Sequence, residues 1–164
     1  MCRRTILFSI FAFFAGLLAL AAGGYFGATR LMILEEESPL GFQETVDVIT
    51  QTARDLGWQV PKVYRLCEGL AKHGHQVEPV AVIELCQPDY AASLLDHDAT
   101  RMVSSFMPCR ISVYRRADGK VTISRMNTAM MSHLFPKEVA RVMARASADT
   151  EQIVAKLHAR VDAG

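Results

Sequence analysis

Apolar and polar positions alternate along Arg110-Ile111-Ser112-Val113-Tyr114, with Ile111 and Val113 to one side of a strand and Ser112 and Tyr114 to the other. Val121-Thr122-Ile123-Ser124 repeats the alternation after Asp118-Gly119, whose glycine supplies the positive φ that a tight hairpin needs. Arg110, Arg115, Arg116, Lys120 and Arg125 are expected on the outer side of this hairpin, against Asp118 alone. The run from Val77 to Cys86 has the same period. Ala81, Ile83 and Leu85 face one way and Val82, Glu84 and Cys86 the other, so apolar groups on both faces predict a central strand. Leu31-Met32-Ile33-Leu34 reads as a first strand with Glu35-Glu36-Glu37 as its solvated exit, and Arg101 to Phe106 as a short strand.

Elsewhere the spacing is helical. Phe42, Val46, Ile49, Ala53 and Leu56 follow at four, three, four and three residues, with Ser38-Pro39 as the expected cap and start and Gly57 as the end. Val63, Leu66, Cys67, Leu70 and Ala71 predict a second helix with Cys67 as a buried core thiol, closed by His73-Gly74-His75. Gln87-Pro88-Asp89 starts a third, with Tyr90, Ala91, Leu94 and Leu95 as its stripe and Asp96-His97-Asp98 as its end. Pro136 suits the first position of a helix carrying Val139, Val142, Met143 and Ala146. Asp149 with Gln152 resembles a capping box that opens a separate last helix, with Ile153, Leu157 and Val161 on its apolar side.

The N-terminus breaks this pattern. After Arg3-Arg4, residues Thr5 to Thr29 carry no charge, long enough to cross a bilayer, which needs about 20 residues. Two readings are open: a signal peptide cleaved after Ala19-Leu20-Ala21, or an uncleaved anchor. The apolar run continues past the candidate cleavage site, which favours the anchor. Residues 1–29 are then expected as a transmembrane helix and 30–164 as a domain on the outer, periplasmic face of the inner membrane, with the arginines on the cytoplasmic side.

Of 18 basic residues only Arg3 and Arg4 precede Arg30, so 16 face 17 acidic residues in the remaining chain. That balance offers no electrostatic case for nucleic acid as a partner. The four cysteines, Cys2, Cys67, Cys86 and Cys109, match no zinc-finger, ribbon or Cys-x-x-Cys spacing. Hydrolase signatures such as Gly-x-Ser-x-Gly and His-Glu-x-x-His are absent, as is a phosphate-cradling glycine loop.

Cys86 ends a strand and immediately precedes a helix start, where free backbone N–H groups and the helix dipole favour thiolate. Cys109 opens the next strand beside Arg110, a second thiolate-favouring charge. The two are candidates for a reactive or ligating pair, and equally for small buried hydrophobes at strand ends. Met107, Met126, Met130, Met131 and His133 add soft groups suited to Cu(I) as a further alternative.

Three pieces, Val82-Ile83-Glu84-Leu85-Cys86-Gln87-Pro88, Met107 to Tyr114, and Asp118-Gly119-Lys120-Val121, together resemble the domain of unknown function 302 family. The resemblance runs from about Leu31 to His158. It implies an α+β domain of the β-α-β-β-β-β-α kind, with helices on one side of an antiparallel sheet, related in topology to the TATA-binding-protein fold and often dimeric. It supplies no catalytic residues. The expectation is therefore a membrane-anchored domain without a cofactor, a homodimer as the resemblance implies, that binds a small ligand or a partner. Its candidate contacts are Cys86, Pro88, Met107, Cys109 and Arg110. The alternative is a thiol redox or thiol-transfer protein using Cys86 and Cys109.

Overall fold

Five strands form one antiparallel sheet in the computed structural model, which describes residues 13–20, 22–24, 27 and 31–161. They are β1 (Ile33–Glu37), β2 (Val63–Arg65), β3 (Val80–Leu85), β4 (Cys109–Arg115) and β5 (Val121–Met126), in the spatial order β1-β5-β4-β3-β2. The expected hairpin is present. Gly119 takes φ 85° in its turn, and Val113 stands opposite Ile123. Strand β3 lies between β4 and β2, with Ala81 opposite Val113 and Ile83 opposite Ile111.

Two long helices close one face of this sheet. Helix α1 (Phe42–Asp55) buries Val46, Ile49 and Ala53 as its spacing requires, and Gly57 ends it at φ 79°. These side chains share one core with Ile83 and Leu85 of β3, Ile111 and Val113 of β4 and Ile123 of β5. Ile153 and Leu157 of the last helix complete it. Short helices are inserted into this frame: α2 (Leu66–Ala71), α3 (Pro88–Leu95), α4 (Asp98–Arg101) and α5 (Thr128–Ser132), before α6 (Lys137–Val161). With the insertions set aside, the order is β-α-β-β-β-β-α and the class is α+β.

Several local expectations fail for physical reasons. The first strand is shifted to Ile33–Glu37, and its glutamates belong to the sheet because cationic and hydroxyl groups meet them. Glu35 accepts from Tyr114 Oη at 2.6 Å, Glu37 pairs with Lys120 at 2.6 Å, and Glu36 pairs with Arg125 at 3.2 Å. Ser38 does not cap α1, whose N-cap is Gly41; its buried hydroxyl bonds Thr45 Oγ1 at 2.6 Å instead. Val63 to Arg65 is a strand, because β3 offers it a free edge, and only Leu66–Ala71 is helical. That helix buries no residue, so Cys67 is half-exposed rather than a core thiol. Met102–Phe106 is a 3₁₀ helix, not a strand. One uninterrupted helix of 25 residues follows directly after Pro136, and Asp149 lies inside it, accepting from Tyr90 Oη at 3.0 Å rather than capping.

The largest correction concerns the N-terminus. Residues 13–20 are helical, with Phe13, Phe14, Leu17, Leu18 and Leu20 exposed. No helix among the described residues is long and apolar enough to cross a membrane. The expected transmembrane helix over residues 5–29, and with it the single-pass inner-membrane placement, is therefore not supported. The cytoplasmic placement of Met1 to Arg4 and the cleavage point at Ala21 lie outside the described residues.

Candidate functional site

At the end of β3 the chain leaves the ladder and wanders through residues 86–108 before returning as β4. Leu85 stands opposite Cys109, so the two strand ends meet and Cys86 lies one residue beyond the last pair. Standard sheet spacings then place the Cα atoms of Cys86 and Cys109 about 6 Å apart. Strand alternation would send Cys86 to the face away from Leu85. Past the ladder, however, Cys86 makes an isolated bridge with Gln59, through N–H···O bonds of 2.9 and 2.8 Å. Both cysteines border the same cavity and both remain free thiols.

That cavity measures about 80 Å³ and is walled from four directions. Leu85, Cys86 and Cys109 form its floor at the sheet end. Helix α3 contributes Tyr90, Ala91 and Leu94, and the 3₁₀ turn contributes Val103 and Phe106. Val142, Met143 and Ala146 of α6 close the opposite side, with Trp58 at the edge. Trp58 is 4% exposed and meets the Tyr90 ring edge-to-face at 6.0 Å. Gln87 caps α3 by accepting from Tyr90 N–H at 2.9 Å, and the Met107-Pro108 peptide that leads into β4 is cis.

A second cavity of about 120 Å³ adjoins the first and shares Phe106, Pro108, Cys109, Thr128 and Met143 with it. Its polar side is built on Arg125, 7% exposed, which donates to both oxygens of Glu151 and to Glu36 Oε1. Arg125 was expected outside, but it shares its strand face with Val121 and Ile123 and stands opposite Ile111. Burial works against its charge, yet the hydrogen bond to Glu151 and the charge of Glu36 hold its pKa above the ordinary value.

Burial raises the Cys109 thiol above its ordinary pKa, and the neighbouring Cys86 adds to the rise. Arg110 does not counter this. It lies on the other face of β4 and pairs with Glu84 at 3.7 Å. The activating charge expected beside Cys109 is therefore directed elsewhere, and burial favours the protonated thiol of Cys109.

The family model described as Domain of unknown function DUF302 matches residues 34–160. The chain belongs to the DUF302 family. Among solved structures, it is similar to an uncharacterized conserved DUF302 protein from Bacillus stearothermophilus, with TM-score 0.68 and 20% identity. That match covers 77% of this chain and 98% of the other, and at this identity it shows the DUF302 fold alone. No curated protein matches.

Of the candidate contacts in this DUF302 domain, Cys86, Met107 and Cys109 border the first cavity and Arg110 only the second. Pro88 borders neither, being spent on the first turn of α3. Sequence reasoning missed Trp58, Val103, Val142, Met143 and Ala146 as wall residues. The apolar stripe of α6 was the available signal, but nothing in it marks which turns meet a cavity rather than a filled core. Met130, Met131 and His133 lie outside both cavities, with Met131 a buried residue of α5. Among the described residues, no group of three or more His, Cys, Asp and Glu side chains is placed to hold a metal ion.

Proposed function

We propose that this DUF302 domain binds a small apolar ligand, or the apolar tip of a larger one, at the end of β3 and β4. The observation that carries this reading is the apolar cavity between α3, α6 and the sheet end, bordered by Trp58, Leu94, Val103 and Met143. Apolar cavities of about 150 Å³ stay dry and accept benzene, so about half that volume suits only a few heavy atoms. Gln87, Tyr90 and Thr128 supply polar groups at the margin to orient such a guest.

Trp58 is the single tryptophan and reports directly on the cavity. Titration with short-chain alcohols from ethanol to butanol is expected to change its fluorescence saturably, with an optimum chain length. Ala91→Leu, which fills the wall from α3, is expected to abolish saturation while leaving the fold intact. A linear, non-saturating response in the unmodified protein overturns the reading.

The thiol pair favours a second reading. Cys86 as thiolate would attack a disulfide substrate and release its first thiol. Cys109 would then lose its proton to solvent, attack the mixed disulfide, form the Cys86–Cys109 bond and release the second thiol. The raised pKa of Cys109 gives it the later, resolving step. Rapid modification of Cys86 by iodoacetamide at pH 7, slowed in Cys109→Ser, supports this reading; slow modification of both thiols removes it.

A further inference from the structure

We propose that Cys86 and Cys109, completed by the thioethers of Met107 and Met143, form a binding site for Cu(I). The four sulfur-bearing residues come from three separate segments, the β3 exit, the β4 entrance and α6, and all border the same cavity. No carboxylate or imidazole borders it. Hard cations such as Mg²⁺ and Ca²⁺ therefore find no ligand set there, and the nitrogen and carboxylate ligands common in zinc sites are missing. Thiolate with thioether is the combination that selects Cu(I).

Thioethers add ligands without adding buried charge, so Cu(I) held by two thiolates and two thioethers leaves a single net negative charge, less than a site with further thiolates would bury. As each Cu–S bond to a cysteine forms, the thiol proton leaves to solvent and no electron moves. Binding releases thiol protons, so it is expected to tighten as pH rises. Met143 borders both cavities, which gives its flexible side chain room to approach the thiols.

The test uses the reduced full chain in a Cys2→Ser, Cys67→Ser background under anaerobic conditions, with Cu(I) supplied as its bicinchoninate complex. One equivalent is expected to transfer to the protein. Cys86→Ser or Cys109→Ser should each weaken binding by more than about tenfold, since even outer-shell partners of metals cost about 10–100-fold. Met107→Leu with Met143→Leu should weaken it several-fold; an unchanged affinity there overturns the four-sulfur form of the site. X-ray absorption of the copper complex needs no substitution at the site and is expected to show a shell of sulfur alone. A shell containing nitrogen, as His73 or His75 would supply, overturns the proposal, as does unchanged affinity in both cysteine variants or the absence of a 1:1 complex. Alcohol binding, followed at Trp58 in metal-free protein, is scored separately, so either reading can fail while the other stands.

Discussion

The sheet with its two long helices and the excursion between β3 and β4 lie side by side, yet they are packed to different standards. Ile49, Ile83, Ile111, Ile123, Ile153 and Leu157 are all fully buried in one continuous core. The excursion contributes only Leu94 and Val103 to a small cluster with Val139 of α6, and leaves Met102 70% exposed and Phe106 47% exposed. The empty volume falls where the two meet. Close packing holds the first region, and the space that the proposed guest would need lies at the margin of the second.

That contrast can be broken by substitution. Ile111→Ala, in the middle of β4, is expected to cost about 3–4 kcal/mol, read from the urea midpoint. A loss below about 1 kcal/mol would mean that the central sheet is no better packed than the excursion. The Arg125 cluster ranks next. Glu36→Gln with Glu151→Gln leaves a buried guanidinium without its carboxylates and should cost about 2–3 kcal/mol. Arg125→Met leaves two carboxylates that reach water and should cost less; the reverse ranking would remove the buried charge as the sensitive element.

Leu94→Ala tests the smaller cluster, with about 2 kcal/mol expected because its surroundings can collapse into the neighbouring space. A value matching Ile111→Ala would erase the distinction between the regions. The pH dependence is smaller again. A thiol whose pKa is raised on folding contributes stability that is present below the unfolded value, near 9.0, and lost as pH rises through the folded value. The wild type should therefore lose stability above about pH 9 more steeply than Cys109→Ala in paired denaturation curves. Parallel curves would show that burial does not hold the Cys109 proton. Cys67→Ala, on a short helix without buried residues, is expected to stay within about 0.5 kcal/mol. A larger loss would restore the core role that its apolar spacing had indicated.

Much of the frame was legible because simple periods carried it. The alternation from Ile111 to Tyr114 and the four-three spacing from Phe42 to Leu56 each have one structural solution. The misreadings came where a tertiary partner decided the outcome. Glu35, Glu36 and Glu37 look like a wet exit until Tyr114, Arg125 and Lys120 meet them across the sheet. Arg125 continues the inward parity of Val121 and Ile123, but its charge argued for water, and Glu151, 26 residues away, is what makes burial possible. Val63 to Arg65 carries a helical period, and the free edge of β3 overrides it. At the site, Cys86 and Cys109 could be named because they flank paired strands. The α6 wall could not, since its distance from them along the chain hides their contact.

Helix α6 spans both regions as one rod about 37 Å long. Its Val142, Met143 and Ala146 border the cavity, while its Ile153 and Leu157 are locked in the core. Tilting it outward would pull Glu151 from Arg125 and lever apart the main packing, so that wall behaves as a fixed jamb. The short helices α3 and α4 and the 3₁₀ turn carry far less and form the side that can swing. Opening of the cavity is expected beneath them, and amide hydrogens there should exchange with deuterium well before those in the last turns of α6 that touch the sheet.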